Sequence, residues 1–287
     1  MKKRIFINIH YLEIGGAERA LLGLLSSLNP DKVDIDLFVN QHTGEFMPLI
    51  PEWVNLLPEI SEYTCIERPI TTIVKEGHVG IALRRIWAKH KHKQYLNTLT
   101  VEQRQHDASV FQYVADAVEG ALPSLAHLGE YDLAISFLQP HNIVLNKVKA
   151  KKKICWIHTD YSTIHINHDL ELPVWNAFDY VVSISNDCIR AFVQTFPELK
   201  DKIVLIENIL SPLFVRQQAD LYEVKAEMPD EPDVVKILTI GRFSPPKKIE
   251  GIPHICAEME RLGADFRWYV ICLLYTSPSP RDAHESR

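Results

Sequence analysis

The chain contains no run of about 18 uninterrupted apolar residues, so no segment is long enough to span a bilayer as a helix. Its five cysteines, Cys65, Cys155, Cys188, Cys256 and Cys272, show no paired spacing. That excludes a disulfide framework or a zinc ribbon and points to a reducing compartment. Positive charge is also in short supply. The formal net charge is −6 over 287 residues, whereas a general nucleic-acid binder needs a broad basic surface. The Met1-Lys2-Lys3-Arg4 start could open a signal peptide. However, Asn8, His10 and Glu13 interrupt the apolar stretch behind it, and no small-residue cleavage site follows. There is no internal repeat, no low-complexity tract and no G-x-G-x-x-G dinucleotide pattern.

What is present is an alternation of short β-rich runs with helical patterns. Strands are expected at 4–9, 33–39, 133–137, 153–157, 180–184 and 203–206. Helices are expected at 17–28, where leucines form a broad apolar face, and from an N-cap at Ser185 through Phe196. Such alternation over about 200 residues implies a mostly parallel, doubly wound α/β sheet. Residues 79–120 read as a polar helical insertion. The acidic, proline-dotted stretch 220–233 reads as a linker, and 235–240, 249–262 and 266–271 as a second strand–helix–strand unit. The expected organisation is a first Rossmann-like domain over 1–219, a linker over 220–233, the start of a second domain over 234–271, and a tail over 272–287.

Two segments carry phosphate chemistry. The first βα turn holds Gly15 and Gly16 directly before a helix, where unpaired N–H groups suit an anion; a plain structural turn is the competing reading. The second is Gly241-Arg242-Phe243-Ser244-Pro245-Pro246-Lys247-Lys248, at the end of an expected strand. There a forked guanidinium (Arg242) and a compact ammonium (Lys247) suit a diphosphate, though each taken alone reads as a solvated surface charge. His158 closes the apolar strand Ile154-Cys155-Trp156-Ile157. A ligand contact and a hydrogen-bonded structural histidine are equally good readings of it. Asp160, His165 and His168 follow, but their spacing matches no metal-ligand pattern, so no metal is expected. The run Arg84, Arg85, Trp87, Lys89, Lys91, Lys93 suits either a solvated helix face or contact with anionic lipid. The lysines of 147–153 read as solvated.

Taken together, Gly15-Gly16-Ala17-Glu18 on the first unit and Gly241, Arg242 and Lys247 on the second resemble glycosyltransferase family four. The segments Trp156–Asp160, Phe178–Ser185 and Ile206–Asn208 resemble further pieces of that family, so the likeness covers nearly all of 4–271. The chain departs from the pattern around its lysine, with Pro246 before Lys247 and Lys248 after it. The resemblance implies a GT-B fold of two Rossmann-like domains. It also implies retaining transfer from a nucleoside-diphosphate sugar to a cell-surface polysaccharide or glycolipid acceptor, with no cofactor and no obligatory metal. Arg242, Lys247, Gly15 and Gly16 would hold the donor diphosphate, and His158 would contact the donor sugar or orient the acceptor. A cytoplasmic location, with peripheral contact to the inner face of the membrane, is expected. The rival readings are an epimerase or phosphorylase of the same fold, or a non-catalytic nucleotide-sugar-binding assembly protein.

The last segment, Cys272-Leu-Leu-Tyr-Thr-Ser-Pro-Ser-Pro-Arg-Asp282, resembles the translation of an adapter used in sequencing-library preparation. On that likeness the native reading frame is expected to stop near Ile271, leaving a disordered tail and an inactive fragment. The family's two glutamates spaced eight apart would lie beyond it.

Overall fold

The computed structural model describes residues 2–220, 223–241, 243 and 247–272. Within it the chain forms two compact units that divide between Phe214 and Val215. The expected diphosphate ligand Arg242 and the tail beyond Cys272 lie outside the described residues.

The first unit runs β1 (Lys3–Ile9), α1 (Gly16–Ser27), β2 (Val33–Val39), β3 (Asn55–Leu56), α2 (Ser61–Thr64), α3 (Ile70–Lys75), α4 (Val79–Leu96), α5 (Val101–Gln105) and α6 (Val110–Glu119). It continues with β4 (Glu130–Ser136), α7 (Asn142–Lys147), β5 (Lys149–Ile157), α8 (His168–Asn176), β6 (Tyr180–Ser183), α9 (Asn186–Thr195) and β7 (Ile203–Leu205). α10 (Pro212–Ala219) contains the division between the units. All seven strands are parallel, in the order β3-β2-β1-β4-β5-β6-β7. The Rossmann-like α/β class expected from the sequence is therefore what the structure shows.

Strand alternation puts a core on each face of this sheet. On one face Ile5, Ile7 and Ile9 of β1 pack with Leu21 and Leu25 of α1 and with Trp156 of β5. Phe6 points the other way and joins Phe38, Tyr131, Trp175 and Phe192. The helices between β3 and β4 belong to this second core: Ile81, Ala82 and Ala88 of α4 and Val114 and Val118 of α6 are all buried in it. Their apolar stripe is short because Arg85 occupies one of its positions.

Several boundaries move relative to the sequence reading. β5 starts at Lys149, and its early lysines stay at the surface. Lys151 pairs with Asp132 at 2.8 Å and Lys152 with Asp179 at 2.6 Å. β3 is only two residues long and adds an edge strand beside β2. The expected N-cap at Ser185 is present, its hydroxyl accepting from the Cys188 N–H at 3.1 Å.

The second unit contains β8 (Val235–Ile240), α11 (Ile252–Arg261) and β9 (Phe266–Ile271), with β8 and β9 parallel and in register from Val235↔Phe266 to Ile240↔Ile271. It is the strand–helix–strand unit expected at this place.

Candidate functional site

The strand order fixes where a ligand belongs in the first unit. From β1 the chain winds outward through β2 to β3, then returns to build β4 and its successors on the other side of β1. The crevice beyond the carboxyl ends of β1 and β4 is thus the topological switch point, where open α/β sheets bind ligands. Four groups meet this edge or flank it: His10 just after β1, the Gly15–Gly16 start of α1, His141 at the start of α7, and His158 just after β5.

Gly15 is the N-cap of α1, in extended backbone (φ −157°). A Cβ there would come within 2.1 Å of Glu18 Oε2, because the buried Glu18 side chain folds back against the turn. That carboxylate sits at the positive end of the helix, where it already answers part of the dipole. Around Gly16, by contrast, a Cβ would meet nothing within 4 Å. Of the two glycines expected to hold a diphosphate, Gly16 has open space beside it and Gly15 has a carboxylate.

The histidines differ in surroundings. His158 packs against Phe137, ring centres 4.7 Å apart, and burial lowers its pKa to about 4, so it is neutral near pH 7. His141 is buried against Trp175 and Phe178, with Nδ1 2.8 Å from Ser136 Oγ. Its pKa falls to about 3, first through burial and then through the nearby His10 and His158. His10, only 4% exposed, hydrogen-bonds through Nδ1 to Glu67. In all three rings Nε2 is buried without a partner. A buried polar atom left bare costs about 1–3 kcal/mol, and three such ring nitrogens lie at this one sheet edge.

The sequence singles out Gly15, Gly16 and His158 near this edge but not His10, Glu67 and His141 beside them. The position of His10, at a strand end just before the Gly-Gly turn, was the available signal. Glu67 lies 57 residues away along the chain and gave none. No group of described His, Cys, Asp or Glu residues is arranged to hold a metal ion. His165 stacks on Tyr95 and His168 on Phe196, while Asp160 accepts from Ser162.

The cationic run needs one correction. Arg85 is not on the surface: it is 6% exposed, and its guanidinium donates to the carbonyls of Cys65 (2.8 Å) and Arg68. It falls on the buried stripe of α4 with Ile81, Ala82 and Ala88, which is why it turns inward. Arg84, Trp87, Lys89, Lys91 and Lys93 remain exposed. The Lys91 ammonium lies over the Trp87 ring, 4.1 Å from its centre. In the second unit Lys247 is exposed beside Gly241, where a Cβ would meet the Lys247 side chain at 3.6 Å.

The first unit is a doubly wound α/β unit with three histidines at the carboxyl edge of its parallel sheet. Among solved structures, the chain is similar to HepE from Anabaena, in complex with UDP and glucose (13% identity over 94% of this chain and 70% of that one, TM-score 0.44). It is similar also to a glycosyltransferase from Rickettsia africae (12% identity, 99% of this chain and 64% of that one, TM-score 0.49). A third is a TarM variant from S. aureus, in complex with fondaparinux, alpha-GlcNAc-glycerol and UDP (10% identity, 98% and 74%, TM-score 0.49). At such identities no residue role follows from these likenesses. No protein-family model matches the chain, and no curated protein matches its sequence.

Proposed function

We propose that the protein is a glycosyltransferase that moves a sugar from a nucleoside-diphosphate sugar to a hydroxyl of a cell-surface polysaccharide or glycolipid. The observation that carries this reading is the switch-point edge: an open helix start at Gly16 beside three histidines with bare ring nitrogens. A sugar presents many hydroxyls to such nitrogens, and a phosphate suits the helix start. His158, neutral by virtue of its burial, acts as a hydrogen-bonding contact to the sugar and not as a cation. Arg242 and Lys247 of the second unit are assigned to the diphosphate. As the anomeric bond breaks, negative charge grows on the leaving group, and fixed cations stabilise it more than they stabilise the ground state. The reaction is assigned retention, as the family resemblance implies, and needs no metal or cofactor.

The exposed side of α4 is assigned to the membrane that holds a lipid-linked acceptor. Val79, Leu83, Ile86 and Trp87 are each about half exposed or more, and Arg84, Lys89, Lys91 and Lys93 flank them. An apolar ridge edged with cations suits anionic lipid. No helix among the described residues is long and apolar enough to cross a membrane, so the contact would be peripheral. Cys65, Cys155, Cys188 and Cys256 form no disulfide, which suits the cytoplasm, where nucleotide sugars are made.

The test is a transfer assay with UDP-, GDP- and ADP-sugars against oligosaccharide and lipid-linked acceptors, using the longest product of the gene. Glycosylated product with the donor's anomeric configuration, read by proton NMR, supports the reading. Binding of nucleotide sugar without turnover would favour a non-catalytic assembly protein. Conversion of the sugar nucleotide itself would favour an epimerase.

A further inference from the structure

Behind the switch-point edge the fold buries a carboxylate. Glu171 of α8 is 1% exposed, an uncommon place for an acidic side chain unless it is partnered. Its partners come from two different loops. Gln139, between β4 and α7, donates its side-chain amide to Glu171 Oε2 at 2.9 Å. Tyr161, between β5 and α8, holds its hydroxyl 3.4 Å from the same oxygen and 3.1 Å from Gln139 Oε1, within reach of both acceptors. The Trp175 indole N–H donates to Oε2 at 3.3 Å.

These two loops carry site histidines. His141 lies two residues after Gln139, and His158 three before Tyr161. The hydrogen bonds of Glu171 go to the loops and not to the rings, so it joins the segments that hold His141 and His158. Trp175, bonded to the same oxygen, packs edge-on against His141 with ring centres 4.5 Å apart. Removing a charge from water is costly, and an apolar side chain of similar shape is often at least as stable in such a place. Core stability alone therefore does not account for a carboxylate here.

The carboxyl changes charge near neutral pH. Burial raises its pKa to about 7, against the three donors, which lower it. The other charged and titratable groups around it are Asp107 from the segment before α6, which raises it further, Tyr95 of α4, and Tyr161, which burial keeps neutral. His141, beyond the Trp175 ring, is also neutral in this range. Above about pH 7 the ionised group accepts charge-assisted bonds from both loops; below it the bonds are those of a neutral acid and are weaker.

We propose that Glu171 is a positioning residue for the switch-point edge, tying the Gln139 loop to the Tyr161 loop so that ligand groups meet His141 and His158 at a set spacing. That the ligand is a nucleotide sugar rests on the transferase reading above. The tie is firm when the carboxylate is ionised and slack when it is protonated.

The experiment reads the rings first and the ligand second. Proton–nitrogen NMR follows the histidine rings of the labelled 287-residue chain between about pH 5.5 and pH 8.5. The His141 and His158 rings do not titrate there, with their own pKa values at about 3 and about 4. Both are nevertheless expected to shift with a midpoint near pH 7, and Glu171→Gln should abolish that shift. His158 decides, because it packs on Phe137 and a purely local role for Glu171 would leave it flat. Tyr161→Phe removes one donor to the carboxylate and should move the midpoint up. A flat His158 signal in the wild-type chain overturns the proposal, as does an unchanged inflection in Glu171→Gln. Should Glu171→Gln fail to fold, Tyr161→Phe carries the test, and an unmoved midpoint there overturns the proposal. In calorimetry on the longest gene product, the UDP-, GDP- or ADP-sugar that binds should do so about fivefold more tightly at pH 8 than at pH 6, and equally at the two in Glu171→Gln. Affinity independent of pH in the wild-type protein would also overturn it. If the ring inflections hold and none of these sugars binds, the transferase reading fails while the hold of Glu171 on the edge stands.

Discussion

The Arg85 guanidinium donates to the Cys65 carbonyl oxygen at 2.8 Å, joining the middle of α4 to the segment that leads to Glu67. A cation that reads as surface in the sequence is therefore a buried tie. Hydrogen bonds from a charged group contribute about 1.5–3 kcal/mol each, and cutting this tie leaves two carbonyls bare. Arg85→Ala is expected to lower stability by about 2–4 kcal/mol in urea unfolding. Arg84→Ala, one residue away, removes only one bond from an exposed side chain to the Ala117 carbonyl (3.1 Å) and should cost about 1 kcal/mol.

Gly23 and Gly16 make opposite predictions although both lie in α1. A Cβ on Gly23 would fall 1.8 Å from the Ile209 carbonyl oxygen, which belongs to the backbone and cannot rotate away. Gly23→Ala should therefore destabilise the unit by about 1–3 kcal/mol. Gly16→Val should leave the melting temperature nearly unchanged, because a Cβ there meets nothing within 4 Å, but should weaken ligand binding at the edge. Equal losses of stability in the two variants would contradict this division.

Stability should peak near pH 7, through groups that pull in opposite directions. Glu171 is buried and its pKa is raised to about 7, chiefly by burial, although Gln139, Tyr161 and Trp175 donate to its carboxylate. The folded state holds this proton more tightly than the unfolded chain does, so its contribution falls as pH rises from the ordinary carboxylate range to about 7. His141 and His158 are lowered to about 3 and about 4. The unfolded chain then binds their protons first, and their contribution is lost as pH falls below about 6.5. Glu171→Gln removes the opposing slope. Its gain in stability between pH 5 and pH 7 should exceed the wild-type gain by about 2–3 kcal/mol, at 1.36 kcal/mol per pKa unit. Parallel profiles in urea titrations would contradict the raised Glu171.

The α4 ridge should bind vesicles containing anionic lipid and not neutral ones. Leu83→Glu with Trp87→Glu should abolish that binding, and raised salt should weaken it by screening the flanking cations. Because both side chains are already exposed, the double variant should keep the wild-type melting temperature. Retained co-sedimentation with anionic vesicles would remove the membrane assignment.

The sequence carried the fold wherever local pattern and final environment agree. The Ile5–Ile7–Ile9 alternation, the leucine face of α1 and the serine cap of α9 could all be read from neighbouring residues. It misled where a long-range partner sets the role. Arg85 sits among five other cations and aromatics that read as a surface, and only the carbonyls near Cys65 explain why it turns inward. The His10–Glu67 pair is hidden for the same reason, since α1, β2, β3 and α2 separate its members in sequence. β3, two residues long, is defined by pairing to β2 and not by any pattern of its own.

The central claim is that the substrates meet the carboxyl edge of β1, β4 and β5. The most direct measurement is a titration of the labelled chain with nucleotide sugar and with oligosaccharide acceptor, following backbone amides and histidine rings by NMR. The account predicts shifts concentrated at Gly16 and Ala17 and on the rings of His10, His141 and His158, and lost in Gly16→Val. Shifts confined to other parts of the first unit, or none at millimolar ligand, would contradict it.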